Sequence, residues 1–198
     1  NGIAVWQIQG SGDDGWVTLL DGNGYLWNCG ENNYGNFGDG TTNNNTQLTK
    51  TEVAPGGDIV DLWSMYWNGY KTSFIRTKDG TCYSFGHNGG YYAGGTGNTG
   101  NNTSPVQMQK VSNLKEVFIS GNYSDYARSY WMTDKGEHFC YGQDSRNMML
   151  HPQAGTNWTG EDGNNYPFHW YLPAGAKAVT MYVNTDDQGS SAYAGQGR

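Results

Sequence analysis

GYLWNCG at residues 24–30, GTCYSFG at 80–86 and GEHFCYG at 136–142 align without a gap. Their leading glycines, Gly24, Gly80 and Gly136, stand 56 apart, and so do their closing glycines, Gly30, Gly86 and Gly142. The chain is therefore an internal repeat, a property that outranks any residue-level reading because it dictates architecture. Within each copy large side chains recur at every second position: Trp27, Tyr83 and Phe139 are equivalent, as are Cys29, Phe85 and Tyr141. A period of two is that of a strand with one face in a core. Immediately upstream stand glycine turns, Asp21-Gly22-Asn23-Gly24, Asp79-Gly80 and Lys135-Gly136, each preceded by a second strand-like run, Trp16 to Leu20, Thr72 to Arg76 and Arg128 to Met132. Each copy predicts a β-hairpin closed by a tight turn.

A further strand precedes each hairpin, at Ala4-Val5-Trp6, Ile59 to Trp63 and Glu116 to Ile119, and a fourth such run spans Ala178 to Val183. About four strands per repeat fit propeller blades better than a sandwich, whose sequence need not repeat. The predicted fold is all-β, with about three blades in one repeat domain. Residues 1–15 close a preceding blade, 16–71 form repeat 1, 72–127 repeat 2, 128–189 repeat 3 with an atypical loop at 151–173, and 190–198 begin a truncated fourth repeat. Propellers use about four to eight blades, so the ring is incomplete in this chain. An open stack exposes strand edges that invite pairing, and the expected structural partners are further blades of a longer chain or other copies of this one.

Composition supports the same class. Only 35% of the 198 residues are hydrophobic, but 15 Tyr, 8 Trp and 6 Phe supply large buried area, and 31 Gly supply turns. With 15% charged residues the chain is unlike a charged disordered segment. A formal charge of −7 argues against a nucleic-acid partner, since phosphate binding relies on clustered Lys and Arg. No apolar run approaches the ~18 residues of a membrane span, so no membrane insertion is expected.

Residues 24–40, GYLWNCGENNYGNFGDG, resemble the repeat of the regulator of chromosome condensation family, in which a strand ending in Trp-Gly runs into Asn, Gly and Leu-Gly-x-Gly. The second copy keeps the frame at Gly86-His87-Asn88 and Ala93-Gly94, and Ser104-Pro105-Val106 followed by Leu114 to Val117 is similar to the usual close of the repeat. The third copy departs after Gly142. The resemblance implies a propeller, a ring of blades about an axis. It implies no single activity: the family includes exchange factors for small GTPases, a secreted β-lactamase inhibitor, and blades of bacterial and phage surface proteins. Fold and function are separate questions.

Cys29, Cys82 and Cys140 fall one per copy at non-equivalent offsets, and no C-x-x-C pair exists, so a zinc site is not expected. They read as small apolar strand residues, with a disulfide between copies left open. Asp13-Asp14-Gly15 and Asp186-Asp187 read as solvated turns lacking a calcium-loop spacing. His87, His138, His151 and His169 join no nucleophile constellation. No catalytic residue, metal or cofactor is expected, and the chain is not read as an enzyme.

Binding is read from aromatics outside the strand pattern. Trp158, Tyr166, His169 and Trp170 lie in the long third-copy loop among Asn157, Asn164 and Asn165, and Tyr66, Trp67, Tyr91 and Tyr92 form two further clusters. Rings beside amides suit sugars or a partner protein, or they fold back to cap the core. Asn44, Asn101, Asn102, Asn122 and Asn157 begin Asn-x-Ser/Thr triplets, which accept glycans if the source is eukaryotic and secreted. The resulting expectation is a non-enzymatic recognition module, extracellular or on a virion surface, such as a tail-fibre or adhesin segment with a cell-surface glycan or protein receptor as partner. The alternatives are a structural fibre or sheath unit, and an intracellular nucleotide-exchange or protein-inhibitor propeller.

Overall fold

The reason each glycine turn forms is local. Gly24, Gly80 and Gly136 sit at φ of +81°, +87° and +77°, in the left-handed region where a Cβ is unfavourable. The Asp21 carboxylate fixes its turn by accepting the N–H groups of Asn23 and Tyr25 at 2.9 and 3.0 Å and Trp27 Nε1–H at 2.9 Å. Partial burial opposes its charge, but these hydrogen bonds prevail and hold the carboxyl below its ordinary value. Asp79 plays the same part through the Thr77 hydroxyl at 2.6 Å and the Thr81 N–H at 3.0 Å.

These hairpins are the centres of three four-stranded antiparallel sheets in a computed structural model that describes residues 3–9, 15–67, 70–88, 94–120, 128–142 and 168–169. The first sheet holds β1 (Ile3–Gln9), β2 (Trp16–Asp21), β3 (Leu26–Gly30) and β4 (Asn45–Lys50). The second holds β5 (Ile59–Trp67), β6 (Tyr70–Thr77), β7 (Thr81–Gly86) and β8 (Asn102–Ser112). The third holds β9 (Leu114–Ser120), β10 (Arg128–Thr133), β11 (His138–Gly142) and β12 (Phe168–His169). In each sheet spatial order equals chain order, which is the meander of a propeller blade. The first strands neighbour one another, β1 beside β5 and β5 beside β9. The chain is all-β, and its three described blades do not close a ring. The sheets are phased one strand earlier than the 56-residue frame, since β5 lies within residues 16–71 yet opens the second sheet.

Two apolar seams join the blades. Leu20 and Leu26 of blade 1 pack with Ile59, Leu62, Ile75 and Phe85 of blade 2. The opposite face of blade 2, with Trp63, Met65, Phe74, Cys82, Met108 and Val111, meets Leu114, Val117 and Trp131 of blade 3. Strand alternation produces this division, because Phe74 and Ile75 are adjacent and point to opposite seams. Each fully buried large side chain contributes roughly 1.5–3 kcal/mol, so a middle blade is held on both faces.

A candidate recognition rim at the first blade seam

Glu31 follows β3, Lys71 lies near the start of β6, and His87 follows β7, so three chain segments converge on one end of the first seam. The Lys71 side chain is fully buried and its Nζ is ion-paired with Glu31 Oε2, whose side chain is 13% exposed. The ammonium also lies 5.3 Å from the ring centroid of Trp16, near enough for a cation–π attraction. Beside it three rings from both blades are gathered: Tyr70 to His87 at 4.1 Å between centroids, Tyr34 to His87 at 5.1 Å edge-on, and Tyr34 to Tyr70 at 5.3 Å. The His87 backbone N–H donates to Lys71 O at 2.7 Å, which sets the residue beside the pair. Tyr34 and Tyr70 are half-buried over this base.

Burial pushes the His87 imidazole down from 6.5 to about 4. The unfolded chain takes up a proton at His87 as pH falls below 6.5, while the folded chain resists until about 4. The stability His87 gives is complete above 6.5, declines as pH falls through that window, and is gone below it. The urea midpoint is expected to fall between pH 6.5 and 4, with His87→Gln flattening the profile. Asp21 and Asp79, both held below 3.8, lose their contribution only beneath this window.

The loops carrying this rim are braced from inside. Asn32 is fully buried; its Oδ1 accepts Phe37 N–H at 2.9 Å and its Nδ2 donates to Thr41 O at 3.1 Å. Asn88, its equivalent in the second copy, does the same job: its Oδ1 accepts Gly94 N–H at 2.7 Å and its Nδ2 donates to Asn98 Oδ1 at 2.8 Å. The loop is one residue longer in the second copy, since Asn32 grips Phe37 where Asn88 grips Gly94. The first loop also clamps the next blade, with Gly40 N–H donating to Thr103 O at 2.8 Å. Asn32→Ala would strand buried groups and is expected to cost about 2 kcal/mol, measured by urea unfolding, with a matching loss for Asn88→Ala.

Of the residues singled out from sequence, Tyr66 and Trp67 end β5 opposite Lys71 and Tyr70 in the ladder, so the chain brings them to this rim. His169 lies in β12 opposite Phe139. Tyr91, Tyr92, Trp158, Tyr166 and Trp170 lie outside the described residues, as do Asn122 and Asn157. Asn44 and Asn101 are exposed, and their side-chain oxygens accept the N–H groups of Asn32 and Asn88 at 2.7 and 3.4 Å. Asn102 is buried, with its amide between Thr96 and Asn98. Cys29 is half-buried and Cys82 buried, both as free thiols, and burial raises Cys82 to about 11. Cys140 lies in β11. Among the described residues no three of His, Cys, Asp and Glu gather in a metal-binding group. Sequence reading passed over Glu31, Tyr34 and Lys71, whereas Tyr70 closes the aromatic cluster that begins at Tyr66 and was singled out. One signal was available: Glu31 and His87 are 56 apart, so the position after the closing glycine is a seam position in both copies.

By fold, the chain is an all-β segment of propeller-type blades. No protein-family profile matches its sequence. Solved structures with the same fold are regulator of chromosome condensation repeat proteins. Human WBSCR16 is 17% identical with a TM-score of 0.58, over 87% of this chain and 41% of that one. Prp20p from Saccharomyces cerevisiae, whose structure was described with its binding properties to Gsp1p and histones, is 15% identical with a TM-score of 0.57, over 85% and 39%. Yeast RCC1 (Prp20) in complex with Kap60 gives 15%, 0.56, 85% and 37%. The chain thus spans about two fifths of the length of these proteins. The expected extracellular or virion-surface location is corrected by this comparison, because the proteins sharing the fold are intracellular. The tail-fibre and adhesin readings and the cell-surface receptor draw no support from these comparisons. Part of the Asn content that suggested that location serves inside the fold, as the buried amide braces Asn32 and Asn88.

Proposed function

We propose that this chain is a non-catalytic, protein-binding segment of an intracellular propeller, and that the rim between blades 1 and 2 contacts the partner. The observation that carries this reading is the Tyr34–Tyr70–His87 cluster, two half-buried tyrosines held on a rigid base by a buried ion pair. Tyrosines of this kind, anchored and partly accessible, are enriched at the centres of protein interfaces. Rigid loops spare the entropy of ordering on binding. The charge of −7 favours a basic partner surface, and Prp20p, with the same fold, was studied for binding Gsp1p and histones.

The test is binding of the purified chain to core histones and, separately, to a small GTPase of the Gsp1p kind, with the double variant Tyr34→Ala/Tyr70→Ala alongside. Binding that weakens at least about tenfold in the variant, at unchanged melting temperature, supports the proposal. Binding to neither protein, or binding indifferent to the variant, refutes it. A second reading, nucleotide exchange, is favoured by the same likeness to Prp20p. Accelerated nucleotide release from the GTPase would establish it in place of passive binding.

A further inference from the structure

The loop that follows β3 carries two carboxylates, Glu31 and Asp39, and the described loop residues after β3 and β7 (31–44, 87–88 and 94–101) include no lysine or arginine. Glu31 is engaged at both oxygens, Oε2 with the buried Lys71 ammonium and Oε1 with Asn33 Nδ2. Asp39 is held at one oxygen only. Its Oδ1 accepts the Thr41 N–H and hydroxyl, both at 2.9 Å, and the Asn32 amide at 3.4 Å, while Oδ2 takes no hydrogen bond from the described residues. The loop does not need this charge. In the second copy the place of Asp39 belongs to Thr96, 57 residues on, which is the repeat of 56 plus the one residue added in that loop. The Thr96 hydroxyl reaches Asn98 at 2.7 Å, two residues along, as Asp39 reaches Thr41. A neutral side chain thus closes the same loop, and Asp39 sets a half-buried, oriented carboxylate at the rim.

Asp39 and Tyr34 are tied to one another through Asn32. Gly35 N–H donates to Asn32 O at 2.9 Å, which turns the chain at Tyr34, and the Asn32 side chain binds Asp39 and Thr41. A carboxylate oxygen fixed on the same loop as one of two half-buried tyrosines suits a cation that is itself flat and weakly hydrated. A guanidinium meets this description, because it stacks on aromatic rings and donates N–H groups to a carboxylate from its edge, whereas an ammonium is a compact, strongly hydrated charge. We propose that the rim takes an arginine side chain of the partner, stacked on Tyr34 and Tyr70 and hydrogen-bonded to Asp39. For the nature of the partner this rests on the protein-binding reading above. The molecule already holds one cation in a similar manner, Lys71 between the Glu31 carboxylate and the Trp16 ring. The net charge of −7 adds a longer-range attraction for a basic segment.

The probe is a short peptide of alternating glycine and arginine, with a lysine counterpart, titrated into the full chain by calorimetry. The arginine peptide is expected to bind at least about fivefold more tightly than the lysine peptide. Asp39→Asn keeps an acceptor oxygen for Thr41 and Asn32 and should weaken the arginine peptide at least about tenfold. Glu52→Gln removes the same charge from a side chain that is 71% exposed, and should change affinity by no more than about twofold. Asp39→Thr installs the residue of the second copy and is expected to match Asp39→Asn, so a lowered melting temperature in either variant leaves the other to decide. Equal losses in Asp39→Asn and Glu52→Gln, or equal affinity for the two peptides, overturn the inference. Core-histone binding that depends on Tyr34 and Tyr70 but is untouched by Asp39→Asn also overturns it, and leaves the protein-binding reading intact. Asp39-dependent binding of the arginine peptide, with neither histones nor the GTPase bound, does the reverse.

Discussion

Glu31→Gln is expected to lower the unfolding free energy by about 3 kcal/mol, the scale seen when one member of a buried ion pair is removed. The size follows from asymmetry. Lys71 is completely buried while Glu31 retains 13% exposure, so the variant leaves an ammonium inside the seam facing a neutral amide. The Trp16 ring at 5.3 Å offers it only a small part of the lost attraction. Lys71→Met has a smaller effect, because Glu31 can turn towards water and the methionine keeps most of the buried stem. The double variant Glu31→Gln/Lys71→Met should be more stable than Glu31→Gln alone, since no buried charge remains. Urea midpoints of the three variants decide the matter. A Glu31→Gln chain as stable as the parent would mean that the pair does not hold this seam.

That pair also shows where sequence reading stops. The hairpins were legible because a turn and the period of two are local: Asp21, Gly24 and the Trp27/Cys29 alternation lie within a few residues of each other. The blade architecture was legible because the same local pattern recurs in three aligned copies. The rim was not, because its partners come from segments 40 residues apart, as Glu31 and Lys71 are. A lysine at the beginning of a strand is ordinarily a solvated residue, and only the approach of the neighbouring blade turns it into a buried one. The outward and inward faces were fixed in parity by the alternation, but not in environment. Leu19 and Ile75 are equivalent in sequence, and a neighbouring blade covers one of them alone. The aromatic cluster from Tyr66 to Tyr70 stood out as a departure from pattern, and the fold gathers one of its rings, Tyr70, with Tyr34, which had not stood out. The location inferred from polar, aromatic and weakly charged composition failed because composition does not report where a fold is used, and the comparison with solved structures of this fold points elsewhere.

Gly95→Ala is the second large effect, and its cause can be isolated. Gly95 has φ of +66°, and a Cβ there would lie 2.0 Å from Cη2 of Trp131, deep in the seam between blades 2 and 3. The left-handed conformation costs an alanine roughly 1–2 kcal/mol, and forcing a methyl into a packed core adds roughly 1–3 kcal/mol. The Trp131 ring has little room to give, being fully buried and set edge-on to Phe74 at 6.1 Å between centroids. A total loss of about 3 kcal/mol is therefore expected for Gly95→Ala. Trp131→Leu opens a cavity and is expected to cost about 3 kcal/mol by itself. In the double variant the new methyl enters the space the indole has left, so the combined loss should fall short of the sum by about 1–2 kcal/mol. The backbone part of the Gly95→Ala penalty remains, which sets a floor under the rescue. Gly100→Ala, where an added Cβ meets no atom within 4 Å, serves as the control and should stay within about 0.5 kcal/mol of the parent. Strict additivity in urea unfolding would show that the strain at Gly95 is backbone strain alone, and that the loop does not hold the blade 3 seam through Trp131.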